Sequence, residues 1–437
     1  MERKKKTSLV AMLIISLVVT ASGSAIYLGL WFRPIKIIDI TNDRDFSRKY
    51  HFPGKGTKEN PYIIEGYELS GNSHHNIRIQ GVTKSFIIRN CLLEGSNKGI
   101  HLENSDIELA IVENNTLRDN EFGILVDACS NLQIRNNYLE NNTKGIESIY
   151  NSNVFFEQNI VNNNYWGMNL ESVDNIRIQN NSFSDCTYGI CVDYSDLVSI
   201  ERNIFIKSSG TISAKHNERI KIHNNTVVDC DYGFNVAYSQ DVVYSKNNFA
   251  KTENCIWAGL SNNVIIDQNT CNLSISKAIY VANCANSQVK NNTVITTYGN
   301  GLYVWYCYKL VVTNNTCYNN TIGMSIICAE QVEVTQNTFE HNLEYGLVIQ
   351  GVNATIWKNN FIDNDYTNIT TIHSQANVAG NCTNYVGFPQ FYNNDTLEGN
   401  YWSELEWYAG VEYIIDPGTF KDIYPLEEPI VVTCKTE

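Results

Sequence analysis

The stretch "NLQIRNNYLENNTKGIE" (Asn131–Glu147) alternates two apolar residues, Leu132 and Ile134, then runs directly into Asn136 and Asn137. Asparagine is a poor strand former, so its place straight after a strand pattern needs a reason. Recurrence supplies the first part of it. We take the last asparagine of each such cluster that stands two residues before a side chain suited to a core. This gives Asn90, Asn115, Asn137, Asn159, Asn181, Asn203, Asn225, Asn247, Asn269, Asn292, Asn315, Asn337 and Asn359. After an opening gap of 25 residues, every gap is 22 or 23. So steady a short period, with no helical pattern, marks a β-solenoid.

Each unit reads alike. Two alternating apolar residues precede the asparagine, as in Ile176 and Ile178, and an apolar residue such as Leu139 or Phe183 follows it by two. A small residue then opens another alternating run, as in Gly145-Ile146 or Gly189-Ile190. Period two with one apolar face predicts three short, half-buried strands per coil, turned by Gly, Asn and Asp. Stacked at ~4.8 Å, about thirteen such coils rise ~60 Å. An amide turned inward could then bond the amides above and below it. Alone and unsatisfied it would cost ~1–3 kcal/mol, so the arrangement works only as a run.

The ends carry further motifs. "PGKGTKENPYIIEGYELS" (Pro53–Ser70) precedes the repeats, and "GNYWSELEWYAG" (Gly399–Gly410) and "DIYPLEEP" (Asp422–Pro429) follow them. With the repeat, these resemble the NosD and carbohydrate-binding/sugar-hydrolase (CASH) type over residues 57–430. The resemblance implies an all-β fold, a right-handed parallel β-helix whose first motif closes the bottom of the apolar stack. The layout read from it is a signal anchor or signal peptide at 1–32, a stalk at 33–56, the β-helix at 57–372 and a C-terminal capping segment at 373–437. The family's acidic Asp-Gly loop is shortened here to Val411–Lys421, so no calcium site is expected.

A basic start, Arg3 to Lys6, precedes the uncharged run Thr7–Phe32, which is long enough to span a bilayer. The small residues Thr20–Ala25 would suit cleavage, whereas the apolar Ile26–Phe32 beyond them argues for a retained transmembrane anchor. Either way the basic end stays inside, and the solenoid is exported as a single-pass extracellular domain or a secreted one. The net charge is −14, the wrong sign for nucleic acid. A monomer is expected.

Thirteen cysteines, without a CxxC pair, suit small core residues better than a disulfide framework. Cys284 and Cys307 fall in stacked slots and are candidates to bridge in an oxidising exterior. Although NosD implies copper handling, the 8 His and 4 Met form no HxH or Met-rich group, so no metal or other cofactor is expected. Asp119, Asp185, Asp229 and Asp363 share a turn slot with Asn141 and Asn163. Glu113, Arg135, Glu157, Gln179, Glu201 and His223 form an outward ladder of mixed charge.

One face departs from this background. In the strand after each glycine the second residue points outward, which places Glu147 in the lower coils and Trp257, Tyr280 and Tyr303 in consecutive upper ones. Two residues on, the outward slot holds Glu171 and Asp193 below and Trp305 above. Stacked aromatics of this kind form either a packing row or a platform for sugar rings, with the carboxylates bonding hydroxyls. The leading reading is a membrane-tethered, exported β-helix that binds glycans or cell-surface partners, with turnover not expected. The alternatives are a polysaccharide-active lyase, epimerase or hydrolase on the acidic face, a structural envelope protein, or a metal-site maturation factor. Asn353, Asn368, Asn381 and Asn394 are candidate glycan acceptors.

Overall fold

In the computed structural model the described residues are 36–364 apart from Asn72, with short pieces at 367–371, 400–402, 413–415, 420–422 and 426. They wind as a parallel β-helix of about 14 turns. One coil serves for all. Tyr138–Glu140 lies in the first sheet, Lys144–Ile149 in the second and Ser152–Glu157 in the third. Each pairs in parallel with its counterpart one coil on: Tyr138 with Ile160, Ile146 with Met168, Val154 with Ile176. Leu139, Ile146, Val154 and Phe156 point inward and are fully buried. Alternation on the three strands therefore builds one continuous apolar column.

The asparagine pair does two jobs at the corner. Asn136 is exposed, with φ of 54°, in the left-handed region that asparagine tolerates better than most residues. Asn137 turns inward and is 1% exposed. Its Nδ2 donates to Asn159 Oδ1 at 3.0 Å and to the Val112 carbonyl at 2.9 Å, while its Oδ1 accepts from Asn115 Nδ2 at 3.0 Å. The same donor–acceptor step repeats through Asn159, Asn181 and Asn203 and continues to Asn359 and Asn400. Buried amides are thus satisfied because every coil supplies one.

Three details differ from expectation. Asn90 is no rung: it is the exposed left-handed residue, bonded to Glu65, and Cys91 takes the inward place. At the other end Asn359 is followed by a further rung, Asn400. A second inward ladder, Asn120–Asn142–Asn164, runs along the next corner, directly after the left-handed Asp119, Asn141 and Asn163.

The segment expected as a stalk also takes part in the helix. Ile38–Ile40 pairs in parallel with Ile77–Ile79. A short π-helix, Asp45–Lys49, buries Phe46 against Tyr62, with ring centroids 4.8 Å apart. The "IDI" alternation is long enough for one strand, and the phenylalanine covers the end of the apolar column. The first turn begins there.

The cysteines among the described residues are core residues. Ten are free and buried, Cys284 and Cys307 among them, so the bridge between those two is not formed. Their thiols instead reach the carbonyls of Ala258 and Val281. Cys328 is disulfide-bonded.

Candidate functional site

The second sheet carries the aromatic row as its register dictates. Trp257 pairs with Tyr280, and Tyr280 with Tyr303. Their inward neighbours Ile256, Ile279 and Leu302 are buried, so a one-residue slip would expose an apolar column. Ring centroids are 6.4 Å apart for Trp257–Tyr280 and 5.1 Å for Tyr280–Tyr303. All three rings are half-buried, as is Trp305, which meets Tyr306 edge-on at 4.8 Å. Trp257 lies over Gly259: a Cβ there would come within 2.5 Å of the indole. Lys277 extends over the rings of Tyr280 and Tyr303, its Nζ 5.1 and 4.8 Å from their centroids. Both phenols are pushed up by burial.

Beside this row, at the corner leading into the second sheet, the spacing changes. Ala250 pairs with Asn272 but Asn254 with Lys277, so the corner Leu273–Ser276 is one residue longer than the corner below. Thr296–Gly299 repeats the enlargement one coil on. The extra residues push Ile275 and Tyr298 into solvent, at 63% and 68% exposure. A groove of about 490 Å³ opens against them, lined also by Cys230, Tyr232 and Leu273 and by the charged Asp229, Asp231, Glu253 and Lys251. The Tyr232 hydroxyl donates to Glu253, which pushes its phenol up.

The predicted carboxylates do not join this site. Glu147 points away from the core yet is only 4% exposed: Lys144 Nζ lies 2.8 Å from it, and Asn169 Nδ2 donates to it at 3.2 Å. Facing outward is not the same as facing water when a long side chain folds over the slot. In its column Glu147 is five coils from Trp257, about 24 Å at the strand spacing. Glu171 pairs with Asp193 in the neighbouring column. Asp193 accepts the Lys215 N–H at 3.0 Å, and burial pushes its carboxyl up.

Sequence reasoning missed the groove, although the two gaps of 23 at Asn269–Asn292–Asn315 mark it. It also missed a stack along the corner after the second sheet, where Tyr194, His216 and Tyr238 lie face to face at 4.8 and 5.0 Å. Every coil contributes one residue to that corner, and reading the single column would have shown the three rings. The mixed-charge ladder pairs as expected, with Arg135 on Glu113, Gln179 on Glu157 and His223 on Glu201. Asn353 is exposed, and Asn368 sits in the strand Thr367–Thr371. Asn381, Asn394 and the run Thr7–Phe32 lie outside the described residues. Among the described residues no helix is long and apolar enough to cross a membrane.

A family model described as "Periplasmic copper-binding protein (NosD)" matches residues 38–217 and 199–343, most of the chain. The chain belongs to the NosD family. Among the described residues no three His, Cys, Asp or Glu side chains group closely enough to hold a metal, and His223 is already tied to Glu201 at 2.8 Å. No curated protein matches. Solved structures similar to it include PfbA, a surface adhesin of Streptococcus pneumoniae, at 12% identity over 69% of this chain and 85% of that one, TM-score 0.39. An alginate lyase, AlyF-OU02, matches at 11% over 77% and 86%, TM-score 0.44. The periplasmic alginate epimerase AlgG matches at 11% over 76% and 83%, TM-score 0.39. These likenesses are too distant to carry an argument.

Proposed function

We propose that this NosD-family protein is an exported β-helix, tethered by Thr7–Phe32, that binds carbohydrate on the upper coils of its second sheet. The observation that carries the reading is the row Trp257–Tyr280–Tyr303, extended by Trp305 and bordered by the groove. The rings stand one coil apart, half-buried and inclined to one another by 59° and 79°, and aromatics grouped on one face mark binding surfaces more often than scattered ones do. The Glu147 carboxylate is held by Lys144 and is left out of the proposed surface. The test is a glycan array probed with the purified chain, followed by titration of any ligand found. Trp257→Ala with Tyr303→Ala should weaken binding by ~1–3 kcal/mol with little change in melting. Unchanged binding together with a lowered melting temperature would mean that the row only packs coil against coil.

A second reading, polysaccharide turnover on the lower coils, has one observation in its favour. Burial pushes the Asp193 carboxyl up, and Glu171 lies opposite it one coil below; two carboxyl groups side by side on one face are what acid–base chemistry uses. Incubation with polysaccharides that yields shorter chains from the wild type, and none from Asp193→Asn, would support it.

A further inference from the structure

The groove and the tyrosine pair share a feature that neutral sugars do not require. Three carboxylates, Asp229, Asp231 and Glu253, edge the groove against the single ammonium of Lys251. Lys277 is two residues from Ile275, yet it lays its ammonium on Tyr280 and Tyr303 and not on these carboxylates, of which Glu253 accepts from the Tyr232 hydroxyl. The rings already hold a cation, one that belongs to the chain itself. An ammonium over a tyrosine face gains from the ring quadrupole. The groove also offers apolar surface, from Ile275, Tyr298 and Leu273, beside its acids. Uronate polymers have the wrong sign for such an edge.

Resting on the carbohydrate reading above, we propose that the enlarged corners and the Tyr280–Tyr303 pair form one subsite for an oligosaccharide bearing free amines. The sugar faces lie on Tyr298, Ile275 and the row. One amine is held between Asp231 and Glu253, and another competes with Lys277 for the tyrosine faces. Lys277 is thus an internal occupant that an incoming amine displaces.

Titrating the full chain with a short glucosamine oligomer, its fully N-acetylated counterpart and an oligolysine of equal charge tests this. The glucosamine oligomer should bind about tenfold or more tighter than either control, as expected for charge-assisted bonds added to ring contact. Asp231→Asn with Glu253→Gln should remove that preference and leave the N-acetylated oligomer unaffected. Asp231 is exposed and Glu253 half-buried, so the fold should hold, with melting lowered no further than by Tyr232→Phe, which removes the same hydrogen bond. Lys277→Ala should tighten the glucosamine oligomer severalfold by removing its competitor.

Equal binding of the amine and N-acetyl oligomers overturns the amine inference. If Trp257→Ala with Tyr303→Ala weakens both equally, the carbohydrate reading stands without it. Oligolysine binding as tightly, through the same carboxylates, overturns the sugar class. Weaker binding in Lys277→Ala overturns the displacement. Failure of both oligomers to bind overturns the inference, and the glycan array then decides the broader reading.

Discussion

Asn181 holds four partners with one side chain. Its Nδ2 reaches Asn203 Oδ1 and the carbonyls of Phe156 and Gln179, and its Oδ1 accepts from Asn159. The Asn159 backbone N–H also ends on that oxygen, at 2.9 Å. Asn181→Leu leaves two donors of Asn159 without that acceptor, whereas Asn115→Leu at the ladder's lower end leaves only the Cys91 N–H. Unsatisfied buried groups cost ~1–3 kcal/mol each, so Asn181→Leu should lower the melting temperature further. Equal shifts would argue that the ladder is no cooperative run. The repeat showed this residue's role from spacing alone. It placed the first rung one residue early, because a cysteine can hold the slot, its N–H on Asn115 Oδ1 and its thiol on the Arg89 carbonyl. It also missed the covering of Glu147, since register gives the direction of a side chain and not what lies over it.

His101 supplies a pH dependence at the same scale. Burial, with Lys98 and Arg78 nearby, holds its imidazole down to about 4 from the ordinary 6.5, against the pull of Glu103. Between those values the unfolded chain binds a proton that the folded one does not, so this contribution to stability is full above 6.5 and is lost as pH falls toward 4. His101→Gln should flatten that part of a melting-temperature profile. The same slope in both proteins would remove His101 from the account.

At the scale of strands and corners, close approach matters more than composition. The bare Cα of Gly259 lets the Trp257 indole lie on the sheet. Gly259→Ala should tilt the ring outward, shift tryptophan emission to the red and weaken the proposed glycan binding by about 1 kcal/mol. The fold should hold, because the atoms displaced are the far end of a side chain. An unchanged spectrum with unchanged binding would show that the ring can move freely. Strand identity and facing were legible because each strand has a buried neighbour on both sides. The enlarged corners were visible as two gaps of 23, but their meaning was not. One extra residue becomes a groove only when it happens in two successive coils on the same edge.

At the scale of the whole solenoid, contacts run from coil to neighbouring coil, so stability is close to a sum of coils and their interfaces. Deleting Ser182–Asn203, one full coil, would set Asn181 against Asn225 and keep all three sheets in phase. That variant should fold and melt cooperatively, whereas deleting the half coil Ser182–Val192 should abolish folding. Circular dichroism of the two distinguishes them. A folded half-coil variant would contradict the stacking.

The ladder also bears on how such a protein ages. Asparagine decays when the next residue's backbone nitrogen attacks the side-chain carbonyl and closes a cyclic imide. Along the ladder that nitrogen is occupied: Ile160 N–H donates to the Asn137 carbonyl, Ser182 N–H to that of Asn159 and Thr226 N–H to that of Asn203. A chain so rich in asparagine is thereby shielded from its own chemistry at the positions where an aspartate, an acceptor with no donor, would break the run.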